Sequence, residues 1–446
     1  MTVALWILVA ILVAWGVLQL RTYPRVGAAY RAKVLCTGLF GSGRELEGRL
    51  WSQVTEDSYW LLRPFRVTVD HDARTVTASL LGSLPRTAIY RDGLGATLLV
   101  DRPAVTLGPV PSRRVPVSPS SEWRVSRGPA GLQRIVDAAF EEPDPKRLRR
   151  TFAVVVVHDG QIVAERYAPG KHADMPLPGW SVAKSVLNAL TGVLVDEGRL
   201  QLDRRELLPQ WRGPDPRSEI TLEDLLRMRS GLRFSEQYGN PWSNVLRMLY
   251  LSHDMAGYAA SRPLGAQPGT QWQYSSGTTN ILSCITRRAV GEADYHGWPA
   301  RALFDRIGMT SAVLEPDPAG TFVCSSYMTA TARDWARFGQ LYADGGRWRG
   351  ERILSDNWMR FTATPTLQSP DGRYGAHWWL KLNEDIGGGT AAARDIAPDA
   401  LFAVGHEAQT VTVIPSKRLV IVRLGAAIFI DAWNQAELVA AIQDQF

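Results

Sequence analysis

Ser181 and Lys184 stand three residues apart at the head of an apolar stretch that runs through Val186, Leu187, Leu190, Val193 and Leu194. On a helix that spacing is close to one turn, so both side chains share a face. A serine hydroxyl is a weak nucleophile at neutral pH and needs a base beside it. A lysine serves as that base only if its pKa falls, and burial lowers it. The stretch is apolar nearly all round, which supplies the burial, and Gly198 is a natural stop. At the start of a helix the Ser181 N–H is an unpaired donor, and the dipole favours negative charge there. The chemistry that suits this arrangement is acyl transfer onto Ser181. The plain alternative is a helix-capping serine beside a solvated lysine.

Two later segments supply what such a nucleophile lacks. Tyr274-Ser275-Ser276 sits in a loop after Pro268-Gly269-Thr270 and before a helix expected from Thr278 to Val290. A tyrosine there is a second acid–base group if its pKa drops beside a lysine cation, and Ser276 is placed to bond Lys184. Otherwise the tyrosine only packs. Further on, Gly405-His406-Glu407-Ala408-Gln409 leads into a strand. A strand edge beside the nucleophile offers a backbone N–H, which with that of Ser181 makes an oxyanion hole. His377, beside Trp378-Trp379, is a candidate for the cleft wall. No H-E-x-x-H or other metal spacing occurs, and no G-x-S-x-G elbow. The residues imply no metal and no cofactor.

Order and spacing of these motifs resemble the serine β-lactamase and penicillin-recognising superfamily. The resemblance is stronger to its class C branch, with the related esterases and 6-aminohexanoate-dimer hydrolases. It spans roughly residues 130 to 446, and Tyr374-Gly375 with Trp378-Trp379 adds to it. The resemblance implies Ser181 as acylated nucleophile, with Lys184 and Tyr274 sharing the base and acid roles. It implies the N–H groups of Ser181 and Gln409 as the oxyanion hole, and Trp180, Ser276, His406 and Ala408 as substrate contacts. The third motif departs from the family pattern: His406 stands for a carboxylate-binding lysine, Ala408 for a glycine, and Glu407 adds negative charge. That suits a small-molecule amide or ester without a carboxylate anchor. A peptidoglycan-directed carboxypeptidase or weak β-lactamase is the second reading, and a non-catalytic binding module of the same fold the third.

The elements that must position these residues are legible in outline. Apolar residues make up 45% of 446 and charged residues 21%, an ordinary globular balance. Phe152–Val157 and Ile162–Tyr167 flank Asp159-Gly160, a strong hairpin signal. Val411–Ile414 and Leu419–Arg423 flank Pro415-Ser416 as a second hairpin. Amphipathic helices carry Leu132, Ile135 and Val136 at one end and Leu438, Val439 and Ile442 at the other. The expected fold class is α+β: an antiparallel β-sheet flanked by helices, with an all-helical subdomain between about 181 and 350.

Three regions are expected: an anchor or signal at 1–22, a strand-rich region with a Pro-rich linker at 23–128, and the hydrolase-like domain at 129–446. Val3–Leu20 carries no charge, and 18 helical residues span roughly 27 Å, near a bilayer core. An uncleaved membrane helix is the expectation, anchoring the chain in a bacterial inner membrane. The resemblance places the domain in the periplasm. Arg21, Arg25, Arg31 and Lys33 follow the run, and a positive flank argues instead for the cytoplasmic face. Net charge is +6, but only six of the 50 basic residues are Lys, a compositional bias toward Arg. No nucleic-acid motif accompanies it, so no nucleic-acid partner is expected. Three widely spaced cysteines are too few for a disulfide framework.

Overall fold

A computed structural model describes residues 2–43, 61–101, 123–383, 386 and 395–446; before Arg21 only Trp6 and Gly16 have described side chains. The principal elements are α1 (Thr2–Cys36), β1 (Phe65–Asp70), β2 (Thr75–Leu80), β3 (Ser83–Arg91), β4 (Gly95–Leu99), α2 (Leu132–Ala138), β5 (Thr151–His158) and β6 (Gln161–Tyr167). There follow α3 (Val182–Asp196), α4 (Ser276–Val290), α5 (Ala332–Ala343), β7 (Leu401–Gly405), β8 (Gln409–Ile414), β9 (Leu419–Gly425) and α6 (Gln435–Gln443).

The main sheet is antiparallel, in the order β7-β8-β9-β5-β6. Its alternation divides the core in two, because side chains of period two face opposite sides of a strand. Val155, Val157, Val420 and Val422 point toward α3 and α5. Val154, Val156, Leu419 and Ile421 point toward the two terminal helices, where Leu132, Val136, Leu438, Val439 and Ile442 meet them. Both hairpins form at the turns the sequence marked. Short helices at Leu222–Leu226, Asn244–Leu251 and Met255–Ala260 join α3 and α4 in a helical subdomain. The α+β arrangement of antiparallel sheets and helices is as expected.

The N-terminal strands form a separate four-stranded meander, β1-β2-β3-β4. What the sequence did not reveal is how far α1 continues. Despite Pro24 it runs on to Cys36, and Ala28, Ala29, Ala32, Leu35 and Cys36 are buried. Arg31 and Lys33 are buried as well, and so do not flank an apolar run as expected. Arg31 donates to the Leu62 carbonyl. Lys33 Nζ pairs with Glu315 at 2.5 Å, and the Ala96 N–H of β4 binds the same carboxylate at 2.7 Å. Among the described residues no helix is long and apolar enough to cross a membrane. The side chains of the apolar run before Leu20, Trp6 and Gly16 apart, lie outside that set, as does most of the Pro-rich linker.

Candidate active site

Ser181 occupies the N-cap of α3, yet its side chain caps nothing. Elsewhere capping is ordinary: Ser275 accepts from the Thr278 N–H and Thr331 from the Asp334 N–H. Ser181 Oγ instead receives Lys184 Nζ at 2.8 Å and donates to the Ser325 carbonyl at 3.2 Å. The capping reading of this serine is thereby displaced. Lys184 Nζ has two further acceptors, the Ser325 carbonyl at 2.8 Å and Ser276 Oγ at 3.1 Å. Three acceptors match the three donors of an ammonium group. Lys184 is 2% exposed, and burial pulls its pKa down from 10.5 to about 8, with the Glu236 carboxylate opposing the fall.

The Ser325 carbonyl is held from both sides: the N–H that shares its peptide, that of Ser326, binds the Val323 carbonyl at 3.0 Å, and the Ser325 N–H binds Asn280 Oδ1 on α4 at 3.3 Å. Tyr274 completes the centre. Lys184 Nζ lies 4.9 Å from its ring centroid. Trp379 stacks on Tyr274 at 5.3 Å, and Tyr374 meets it edge-on at 6.0 Å. The expected fall of the Tyr274 pKa is not found. Burial raises it, a hydrogen bond with Ser181 only opposes this, and Glu236 pushes it further up. The phenol therefore holds its proton at neutral pH, and Lys184 is the group poised to lose one.

A cleft of about 550 Å³ opens over Ser181. Tyr238, Trp272, Tyr274 and Trp379 give it an aromatic wall, and Glu236, His406, Glu407 and Ala408 face it. His406 stacks on Tyr238 at 5.1 Å; burial lowers its pKa to about 4, so it is a neutral wall. Trp180 packs edge-on behind His406 at 5.4 Å and lines a different, smaller cavity with Lys33 and Glu315. Ser276 is fully buried beneath the cleft. His377 is also buried, behind Lys184, with Nε2 3.2 Å from Thr279 Oγ1. Burial lowers its pKa to about 3. The cleft position considered for it is not the one it takes.

Gln409 opens β8 directly after the His406-Glu407-Ala408 turn, paired with Gly405. Its side chain turns inward, accepting from the Gly425 N–H at 2.9 Å, so only its backbone is available to the cleft. Gly405 is a glycine of necessity. A Cβ there would run into the Gly179 carbonyl and come within 3.1 Å of Ser181 N. Backbone strain gathers here: Trp180, His377, Glu407 and Ala408 all have φ between 48° and 62°. Left-handed backbone costs a non-glycine residue about 1–2 kcal/mol. Such strain persists where the surroundings over-determine it, and it clusters at active sites. Among the described residues no cluster could hold a metal ion.

The model of one family, Beta-lactamase, matches residues 136–427. The chain belongs to the Beta-lactamase family. It is 29% identical over 303 residues to the 6-aminohexanoate-dimer hydrolase of Paenarthrobacter ureafaciens, covering 61% of this chain and 74% of that one. A Bacillus anthracis structure described as a 6-aminohexanoate-dimer hydrolase is similar with TM-score 0.57 and 20% identity, over 88% of this chain and 94% of that one. A family VIII carboxylesterase is similar with TM-score 0.53 and 16% identity, over 72% and 99%. At those identities the structures speak for the fold alone.

The residue that sequence reasoning missed is Glu236. It lies in a loop, far in sequence from both motifs, and carries no periodic or motif signal. Its carboxylate receives Ser276 N–H at 2.9 Å, Ser276 Oγ at 2.5 Å and Tyr238 OH at 3.1 Å.

Proposed function

We propose that the chain is a serine hydrolase that cleaves a small amide or ester through an acyl-enzyme on Ser181. The observation that carries this is the 2.8 Å contact between Ser181 Oγ and a buried Lys184 whose pKa has come down to about 8. In the neutral form of Lys184, Nζ takes the Ser181 proton as Oγ attacks the substrate carbonyl. The carbonyl oxygen becomes an oxyanion facing the N–H groups of Ser181 and Gln409, stabilised without reorganisation. The Tyr274 phenol protonates the departing nitrogen or oxygen, and the Lys184 ammonium restores its proton. Water then attacks the ester on Ser181 by the reverse sequence of transfers.

The cleft supports a substrate without a carboxylate anchor. Glu236 and Glu407 face it, and Arg373, its described cation, is held by Asp371 at 3.0 Å. The names of the relatives support the amide and ester classes. Labelling with a fluorophosphonate tests this reading: the mass increment should fall on the peptide carrying Ser181 and vanish in Ser181→Ala. Hydrolysis of a short-chain nitrophenyl ester without hydrolysis of nitrocefin separates it from the β-lactam reading.

The first twenty residues are part of the same proposal. The uncharged run forms the first half of α1, which continues past it to Cys36, and Trp6 is 71% exposed. Both support a membrane anchor; the family resemblance, rather than either observation, supports the periplasmic side of a bacterial inner membrane for the hydrolase. Deleting residues 1–20 should release the protein from the membrane fraction. Protease added to spheroplasts should digest the full-length chain, and resistance there would reverse the assigned face.

A further inference from the structure

Ser276 is a bridge. Its Oγ accepts Lys184 Nζ at 3.1 Å and donates to Glu236 at 2.5 Å, while its N–H holds the second carboxylate oxygen at 2.9 Å. Tyr238 OH adds another donor at 3.1 Å. The backbone N–H among these contacts can only donate, and the two hydroxyls are placed to do so, which favours the ionised form of the carboxyl group. Burial raises its pKa, while the Lys184 cation and these hydrogen bonds resist the rise. The geometry thus joins the nucleophile to a carboxylate by three hydrogen bonds in series. A base oriented by a third group is the general logic of an activated nucleophile.

We propose that Glu236 is a positioning residue for Lys184, the far end of a Ser181–Lys184–Ser276–Glu236 relay that stabilises the ammonium formed as Ser181 is deprotonated. The inference rests on the reading of Lys184 as base. In the step it serves, the Ser181 O–H bond breaks and its proton goes to Nζ. Oγ bonds the carbonyl carbon, and the carbonyl π pair moves to oxygen. Positive charge appears on a lysine that was neutral at the outset. The bonds to Ser276 and onward to Glu236 therefore strengthen between ground state and transition state, which is where an interaction accelerates reaction. Glu236 also opposes desolvation, keeping Lys184 a strong enough base to take a hydroxyl proton.

Tyr274 and His377 also face Lys184, and Tyr238 and Tyr274 face Glu236. Burial keeps the tyrosines as phenols and His377 as neutral imidazole at neutral pH. The carboxylate is thus the charge that acts on the lysine. Removing it should move Lys184 in one direction, toward easier proton loss.

The experiment is the pH profile of kcat/KM on a nitrophenyl ester for wild type, Glu236→Gln, Glu236→Asp and Ser276→Ala, each with a melting curve. In Glu236→Gln the acidic limb should shift down by about one pH unit as the plateau falls at least about tenfold. Glu236→Asp should keep the wild-type midpoint. Ser276→Ala should lower kcat with little change in KM, and adding Glu236→Gln to it should cost little more. An unmoved midpoint in a folded Glu236→Gln overturns the relay. If that variant fails to fold, wild-type kcat in Ser276→Ala overturns it alone. Fluorophosphonate labelling of the wild type separates the two failures. A labelled Ser181 with an unmoved midpoint sinks the relay and leaves the hydrolase, whereas an unlabelled Ser181 ends both.

Discussion

The Ser325 main-chain carbonyl lies 2.8 Å from Lys184 Nζ, as close as the Ser181 oxygen does. One oxygen thus orients both the nucleophile and its base. An ammonium held by three acceptors is inert as a base, and only proton loss frees Nζ to accept from Ser181. The buried site makes that loss feasible near pH 8.

The first prediction follows from that value. A base lowered to about 8 is mostly protonated at pH 6, so kcat/KM should climb roughly tenfold per unit from pH 5.5 to 7.5 and level off above pH 8. Because burial moves the Tyr274 pKa upward, no loss of the acid should cut the rate below about pH 10. Steady-state rates on a nitrophenyl ester give the profile; a limb near pH 5 would point to a carboxylate base instead.

Removing the reacting groups should be severe and local. Ser181→Ala should abolish turnover with an unchanged melting curve. Lys184→Ala and Tyr274→Phe should each lower kcat at least about a hundredfold. Residual activity of Ser181→Ala within about tenfold of wild type would remove it as nucleophile.

Gly405→Ala probes the oxyanion hole without touching a side chain. The added methyl must displace Gly179 or the Ser181 N–H. Losing one aligned oxyanion donor costs about a hundredfold or more in kcat. The expected result is a loss of that order in kcat with little change in KM, read from Michaelis curves.

Ala408→Gly should act in the opposite sense on stability. Ala408 sits at φ 62°, where glycine pays no steric cost. The relief of about 1–2 kcal/mol exceeds the extra chain entropy of glycine, about 0.5–1 kcal/mol. Chemical denaturation should show a midpoint at or above wild type, and a clear drop would mean the left-handed turn is not strained.

Lys33→Met leaves Glu315 buried without its cation. The remaining hydrogen bonds, from Thr37 at 3.0 Å and Ala96 at 2.7 Å, do not replace a charge. Breaking a buried pair from one side costs about 3–5 kcal/mol. Urea unfolding should show that loss, and Glu315→Gln in the same chain should recover part of it.

What was legible in the sequence was what depends on near neighbours. Ser181 and Lys184 are one turn apart, so helix periodicity places them together. Asp159-Gly160 and Pro415-Ser416 mark their hairpins by turn chemistry. Glu236 was opaque because its partners Ser276 and Lys184 come from other segments, and a lone loop glutamate carries no pattern. Lys33 was misread for the same reason. Beside Arg31 it resembled a charged flank, while its partner Glu315 lies 282 residues away. The direction of the Tyr274 shift also depends on folding, because burial outweighs the hydrogen bond with Ser181.

The grip of Lys33 on Glu315 has a mechanical consequence. Glu315 exchanges backbone hydrogen bonds with Val323 and Tyr327, on either side of Ser325. The helix that begins at Thr2 is thus tied, through Lys33 and Glu315, to the segment whose Ser325 carbonyl holds the nucleophile and its base. A disturbance of the Lys33–Glu315 pair therefore has a short path, through two backbone hydrogen bonds, to the oxygen that steadies both Ser181 and Lys184.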